Sequence, residues 1–377
     1  MKFGVACNKL DDSREAGRKA AEGAVKVSGK PTLTFVFTTD FYDHKVVLET
    51  VKEAVGNSKI VGFCARGIIF AEDMLEQAVA VGTLAGAELS VATSLQQGIT
   101  ENSYSAGHRA GEELLASGIS KGLVIVLPDG FTGNKTEVIR GLYNVMGPDF
   151  IYIGGSSGGN LKSSKTYQFT EVGVKSDALA VALLDGMSIN AGVVHGWKPT
   201  QALLVITKSE GKRVYEIDGC PAFDIYSERL GADTVDNFIK LGKQYPLGIP
   251  DVSGNYLIRD PKSVNDDKSV NFVSEIPANS VANIMKGSVK DQIEADKSLI
   301  SMIIDRNAEP QFALVFDCIS RSLLMGKEFK KELKIIWESI GREVPVFGAL
   351  THGEIGSFVG APMFHNKTLA LAVLSSK

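Results

Sequence analysis

Ser13-Arg-Glu-Ala-Gly-Arg-Lys-Ala-Ala-Glu22 returns ninety residues later as Ser103-Tyr-Ser-Ala-Gly-His-Arg-Ala-Gly-Glu112, with Ser, Ala-Gly, a basic residue, Ala and Glu in the same places. In the first copy Ala16, Ala20 and Ala24 stand four apart, and in the second Ala106, Ala110 and Leu114 do the same. That spacing draws one apolar stripe along a helix. Ser13 and Ser103 sit where an N-cap is expected. A short β-branched or aromatic run follows each helix, Leu33 to Asp40 and Leu123 to Asp129, each closed by an aspartate. A second helix comes next, with Val47, Val51 and Val55 on one side in the first copy and Val138, Leu142 and Val145 in the second. Each copy then runs into a strand that reaches glycine, Ile60-Val-Gly62 or Tyr152-Ile-Gly154, and returns through Ala78 to Val81 or Ala178 to Val181.

A third, more divergent pass occupies the C-terminal part. It comprises a helix near 289–305, the strand Ala313-Leu-Val-Phe-Asp317, a helix with Phe329, Leu333, Ile336 and Ile340 on one side, the strand Val344 to Gly348, and the strand Leu369 to Val373. Between passes two and three lies unlike material, about 198–285, opened by the charged stretch Lys208 to Arg213. Strand–helix–strand connections favour parallel neighbours, and the helix-free return makes part of each sheet antiparallel. The predicted fold is therefore α/β, with duplicated β-α-β-α-β-β units forming mixed sheets covered by helices and a related third unit in a C-terminal lobe. The expected division is residues 1–200, holding repeats at about 1–95 and 96–197, and residues 201–377, holding an insert at 201–285 and the third repeat at 286–377.

A chain of 377 residues is long enough for one large or two medium cores, and 44% apolar with 22% charged residues is ordinary globular composition. A formal charge of −4 provides no field to gather phosphate backbones or an anionic membrane, so no nucleic-acid partner is expected. No stretch reaches the roughly 20 apolar residues of a membrane span, and the start, Met1 to Asp12, does not read as a signal peptide. Cys7, Cys64, Cys220 and Cys318 are scattered, without CxxC or His at metal-ligand spacing. Reduced thiols in a cytoplasm are the expectation, with no metal site.

Ligands of α/β sheets collect beyond the carboxyl ends of strands, where Gly-rich turns let backbone N–H groups approach. Three such turns are present at 62–67, 154–160 and 348–356. Gly154-Gly155-Ser156-Ser157 and the residues after it lack the GxxxxGK[ST] spacing of a phosphate loop. Asp40, Asp129 and Asp317 at strand ends can meet a ligand amine or cap the next helix. Arg321, one turn beyond Asp317, can fork onto a ligand carboxylate or pair with that aspartate. His195-Gly-Trp197 places a titratable ring and an indole beside a hinge. Thr351-His352-Gly-Glu354 places a second ring beside a carboxylate that can orient it. Each of these is equally compatible with a satisfied core residue, and no Ser–His–Asp triad can be placed.

These residues carry a resemblance to the FIST domains. Asp12 to Arg18, Gly62, Gly154-Gly155 and His195 to Pro199 resemble the N-terminal FIST domain. Ile217 to Ala222, Pro246 to Ile249, Phe316 to Arg321, Phe347 to Ile355 and Phe364 to Thr368 resemble the C-terminal one. The resemblance implies a cytoplasmic sensory module that binds a small ligand such as an amino acid. It further implies signalling through a partner of the histidine-kinase, cyclic-dinucleotide-enzyme or chemotaxis class. The family's first turn usually reads Gly-Cys-Ser-Thr-Ala-Gly-Glu, whereas Gly62-Phe-Cys-Ala-Arg66-Gly-Ile68 lacks its hydroxyl pair and acid, so this turn is expected to contribute least. The ligand site is accordingly expected among Gly154, Gly155, Ser156, Ser157, His195, Trp197, Asp317, Arg321, Thr351, His352 and Glu354. Two alternatives stand beside it. One is a haem-binding nitric-oxide sensor with His352, His195, His44, His108 or His365 as axial ligand, although no cofactor is predicted from the residues themselves. The other is a hydrolase using Cys64, Ser156 or Cys318 as nucleophile.

Overall fold

The structure is a computed structural model that describes residues 1–159, 165–251, 253–304, 309–358 and 360–377. Asn160, the last residue of the 154–160 turn, and residue 305, the end of the helix expected near 289–305, lie outside the described residues. Contacts divide the chain into two compact units, one of residues 1–194 with 296–377 and one of residues 195–295.

Repeat 1 runs β1 (Lys2–Asn8), α1 (Ser13–Ser28), β2 (Leu33–Thr39), α2 (His44–Val55), β3 (Lys59–Ala65), a hairpin β4 (Gly67–Phe70) and β5 (Asp73–Leu75), then β6 (Val79–Ala85). Repeat 2 follows the same order through β7 (Ser90–Gln97), α3 (Ser103–Leu115), β8 (Gly122–Pro128), α4 (Lys135–Met146), β9 (Phe150–Gly155), the hairpin β10 (Gln168–Thr170) and β11 (Gly173–Lys175), and β12 (Ala178–Asp185). The third begins with β13 (Ser188–Val194).

Residues 195–295 then supply β14 (Lys198–Glu210), β15 (Arg213–Ile217), β16 (Cys220–Pro221), α5 (Ala222–Leu230), α6 (Val235–Gln244), β17 (Leu247–Pro250), β18 (Tyr256–Arg259), β19 (Pro261–Val264), β20 (Val270–Phe272) and β21 (Ser280–Lys286). Their sheet, in the order β18-β17-β21-β14-β15-β20-β19 with β16 on β15, buries Leu204, Ile206, Phe272 and Ile284 against Tyr226 and Phe238 of its helices. Repeat 3 resumes with α7 (Val289–Ile303), β22 (Pro310–Cys318), α8 (Ile319–Met325), α9 (Phe329–Ile340), β23 (Val346–Thr351), the hairpin β24 (Glu354–Gly356) and β25 (Met363–His365), and β26 (Leu369–Ser375).

The three repeats make three equivalent mixed sheets, ordered β1-β6-β2-β3-β10-β11, β7-β12-β8-β9-β24-β25 and β13-β26-β22-β23-β4-β5. Within each, β2/β3, β8/β9 and β22/β23 are parallel and the return strand is antiparallel. The hairpin was not legible in the sequence, because its strands are mostly three residues long and show no period. Each hairpin leaves its own repeat and extends the sheet of another. The hairpin of repeat 1 joins sheet 3, that of repeat 2 joins sheet 1, and that of repeat 3 joins sheet 2. This cyclic exchange gives unit 1 a pseudo-threefold arrangement.

The central strands are buried on both faces, so they read as unbroken apolar runs while alternate residues enter different cores. Leu33, Phe35 and Phe37, Leu123, Ile125 and Leu127, and Phe312, Leu314 and Phe316 all enter one core shared by the three sheets. There Phe3 stacks on Phe312 at 3.9 Å and Phe37 on Phe347 at 4.7 Å. The opposite faces of sheets 1 and 2 pack against α1/α2 and α3/α4.

The repeated Ala-Gly of the opening motif is where the helices cross. A Cβ on Gly17 would lie 2.4 Å from Thr50 Oγ1 and one on Gly107 2.0 Å from the Val138 carbonyl. The expected serine caps are corrected by one residue. Asp12 and Asn102 cap α1 and α3, accepting from Glu15 N and Ser105 N. Ser13 and Ser103 instead accept hydrogen bonds from the backbone N–H of Asp43 and Asn134, the N-cap residues of α2 and α4. The serine thus fastens one helix start to the next, which a cap rule applied to a single helix does not foresee.

Candidate functional site

The parallel ladders give a common register for the three turns. Val36 pairs with Gly62, Val126 with Gly154, and Val315 with Gly348. In each case a Cβ on the glycine would fall 1.8 to 2.0 Å from the partner's carbonyl oxygen. Four residues beyond each glycine stand Arg66, Gly158 and His352. These three meet. A Cβ on Gly158 would be 2.5 Å from His352 Cδ2, 2.8 Å from its Nε2 and 3.5 Å from Arg66 N. Backbone bonds lace the turns together, from Gly158 N to Cys64 O at 3.1 Å, from His352 N to Ser156 O at 3.1 Å, and from Ser156 N to Gly353 O at 2.8 Å.

The same register corrects the apparent equivalence of the strand-end aspartates. Asp317 lies two residues past its valine, Asp129 three and Asp40 four, so they occupy three different positions. Asp129 is buried and accepts from Phe131 N, Thr132 N and Asp177 N, which organises its own loop.

Asp317 lies on the helix side of sheet 3. There the Arg321 guanidinium, wholly buried, contacts Asp317 at 3.0 Å, both Asp296 oxygens at 2.9 Å, and Glu332. Burial in low dielectric, reinforced by the neighbouring acids, raises the Asp296 and Asp317 carboxyls well above the usual range. Arg321 thus spends its fork on three carboxyl groups drawn from α7, β22 and α9.

Nearer the turns, Glu354 is fully buried at the start of the exchanged hairpin. It accepts from Thr351 Oγ1 at 2.7 Å, Thr368 Oγ1 at 2.7 Å and Thr368 N at 3.2 Å. Burial outweighs these bonds and raises its pKa to about 7. The native state therefore holds the proton more tightly than an unfolded carboxyl near 4.5, and stability falls as pH rises from about 4.5 to about 7. Thr351 Oγ1 also reaches the Asp317 carbonyl at 3.3 Å, so its hydroxyl can turn there and accept from a protonated Glu354. Glu354→Gln mimics that protonated form. It is expected to remove about 3 kcal/mol of pH-dependent destabilisation between pH 4.5 and 7, read as a shallower slope of urea-unfolding stability against pH. An unchanged slope contradicts the assignment.

The corresponding pair in repeat 2 is Ser157 and Gln168. Ser157 Oγ accepts from Gln168 Nε2 at 2.8 Å and Gly130 N at 3.0 Å and donates to Thr166. Ser156 is buried, with its hydroxyl on the Gly353 carbonyl at 3.4 Å. Gly154 and Gly155 serve close packing, and a Cβ on Gly155 would lie 2.5 Å from Thr351 Cγ2.

His352 packs edge-on to Phe131 with ring centroids 5.2 Å apart. Its Nε2 is buried without a hydrogen-bond partner among the described residues. Burial, with the positive charges of Lys135 and Arg66, lowers its pKa to about 4, so the ring is neutral at physiological pH.

His195 and Trp197 belong to the other unit. There His195 Nδ1 accepts from Trp197 N at 3.1 Å, which leaves its Nε2–H to donate to the Tyr256 carbonyl at 2.8 Å. Ser156, Ser157, Thr351, His352 and Glu354 are thus gathered at the turns, and Asp317 and Arg321 lie behind them. Sequence reasoning missed Gly158 as a contact point, discounted Arg66, and overlooked Asp296 and Glu332 as partners of Arg321. Counting four residues from each pivot glycine would have found Arg66, Gly158 and His352 together.

These features define an α/β protein of three related repeats whose strand-end turns share one centre. A family model for the FIST N domain matches residues 32–220, and one for the FIST C domain matches residues 222–357. The chain belongs to the FIST family, whose domains are generally sensory and small-ligand-binding. It is similar to a protein of Methanocaldococcus jannaschii described as uncharacterized, with 26% identity over 199 residues, covering 48% of this chain and 38% of that protein. The chain therefore spans well under half the length of that relative. Among the described residues no helix is long and apolar enough to cross a membrane.

Proposed function

We propose that this chain is a cytoplasmic sensor of a polar metabolite, an amino acid or a related molecule, bound where the turns after β3, β9 and β23 meet. The observation that carries this reading is the buried His352 Nε2, without a hydrogen-bond partner among the described residues and packed against Gly158, which also adjoins the Arg66 backbone. A buried nitrogen of this kind costs free energy unless something pairs with it, and a bound ligand supplies that pairing. Repeats 1 and 2, within residues 1–200, each lend one turn, and repeat 3 lends the third from its part within 201–377. Ligand binding then biases the arrangement of these turns, and a histidine-kinase, cyclic-dinucleotide-enzyme or chemotaxis-type partner reads the change.

A haem reading on His352 is poorly supported. The His352 ring packs closely on Gly158 and against Phe131, which leaves no open face of the ring for a porphyrin. A hydrolase reading is also poorly supported. Burial raises the Cys64 and Cys318 thiols far above their ordinary range, and the Ser156 hydroxyl is committed to a carbonyl.

A thermal-shift screen of amino acids and related metabolites tests the proposal. A ligand at a hundred times its Kd is expected to add about 2.7 kcal/mol of stability. Failure of every polar metabolite to stabilise a folded sample, shown by mass spectrometry to carry no ligand, overturns it.

A further inference from the structure

We infer that the meeting point of the three turns is a carboxylate site, in which the Arg66 guanidinium forks onto the ligand carboxylate and His352 Nε2–H donates to the same group. This inference rests on the sensor reading above and names the chemical class that the site takes.

Three observations converge on it. Arg66 is half-buried, its backbone N lies beside Gly158 where the turns meet, its charge acts on the His352 ring, and its guanidinium has no hydrogen-bond or ion-pair partner among the described residues. A partly desolvated guanidinium left unpaired is a strong donor, and its planar fork matches a carboxylate edge. His352 Nε2 is the second unpaired group, and it packs against Gly158, where a Cβ would fall 2.8 Å from it and 3.5 Å from Arg66 N. The electrostatics select the same kind of ligand. Positive charge from Lys135 and Arg66 acts on His352, while negative charge from Asp40 and Asp129 acts on Cys64, two residues before Arg66. Lys135 Nζ is already engaged with the Thr132 and Gly133 carbonyls, at 2.7 and 3.4 Å. A dianionic phosphate would face those two aspartates with a single open guanidinium. A carboxylate carrying an ammonium group nearby is suited to both signs. The turn that had lost the hydroxyls and acid of its family pattern has gained, in Arg66, the group that binds.

The test is an imidazole nitrogen NMR spectrum of the full chain, in which the signal of His352 among the five histidines is assigned with His352→Gln. The probes are acetate, glycine, L-glutamate and inorganic phosphate. The carboxylate probes are expected to shift the His352 Nε2 signal and to raise the His352 pKa, because an anion beside the ring favours its protonation. Arg66→Gln is expected to weaken these probes about ten- to a hundredfold, and Arg66→Lys to restore only part, since it keeps the charge and loses the fork. Arg140→Gln, which removes an exposed pair with Glu137, is expected to leave binding unchanged. Equal carboxylate binding by the parent chain and Arg66→Gln overturns the inference, as does tighter binding of phosphate. A metabolite that stabilises the protein without moving the His352 signal overturns it while leaving the sensor reading in place. No stabilisation by any metabolite together with no shift defeats both.

Discussion

Replacing Arg321 by methionine is expected to destabilise the protein by about 3 to 5 kcal/mol, the usual consequence of stripping a buried ion cluster of one partner. Asp296, Asp317 and Glu332 would then share a wholly buried site with no cation, and at least two of them already depend on Arg321 to hold any negative charge. The loss has a definite pH signature. Without the guanidinium the carboxyl pKa values rise further in the native state, so the variant binds protons more tightly than its unfolded chain. Its deficit is therefore largest above neutral pH and shrinks as pH falls toward 4. Urea unfolding at pH 5 and pH 8 measures both features. A deficit below about 1 kcal/mol at pH 8 would mean that the cluster is solvated. The deeper reason for a large effect is that one guanidinium joins α7, α9 and β22, so its loss loosens the helical cover of sheet 3 as a whole.

Gly158→Val is expected to abolish ligand binding, by at least about a hundredfold, while costing only about 1 to 3 kcal/mol of stability. The new Cβ would arrive 2.5 Å from His352 Cδ2 and 2.8 Å from Nε2. The colliding atoms belong to the end of a side chain, so the ring can swing aside at modest cost, and the ligand then loses its donor. Calorimetric titration with the best-stabilising metabolite, paired with urea unfolding, separates the two effects. Binding within a few-fold of the parent chain would place the ligand elsewhere.

The repeat was legible in the sequence because it is written in helices, where a stripe of alanines and an Ala-Gly contact leave a pattern more than ten residues long. The sheets were legible only as strands. The exchange of hairpins was hidden because β5, β10, β11, β24 and β25 are three residues each, and nothing in such a segment names the sheet it will join. The three strand-end aspartates looked equivalent because they share a residue type and a neighbourhood. The ladders stagger them, and Asp317 lies on the helix side, where its carboxyl meets Arg321. Glu354 was singled out as a partner for the adjacent His352 ring. It instead bonds Thr351 and Thr368, because the bend at His352-Gly353, with Gly353 at a φ of 134°, breaks the strand alternation that would put residues two apart on one side. Arg66 was discounted for what its turn lacks compared with the family pattern. Register, unlike composition, is set by pairing across the chain, and it is register that brings Arg66 to His352.

The most direct measurement is a crystal structure of the full chain grown with the metabolite that stabilises it most. The account predicts ligand density among Arg66, Gly158 and His352, with a carboxylate within hydrogen-bond reach of the guanidinium and of His352 Nε2. Density confined elsewhere, for example in the cleft of about 420 Å³ lined by Ser90, Ser117, Ser120 and Asp185, with the three turns unaltered, would contradict it.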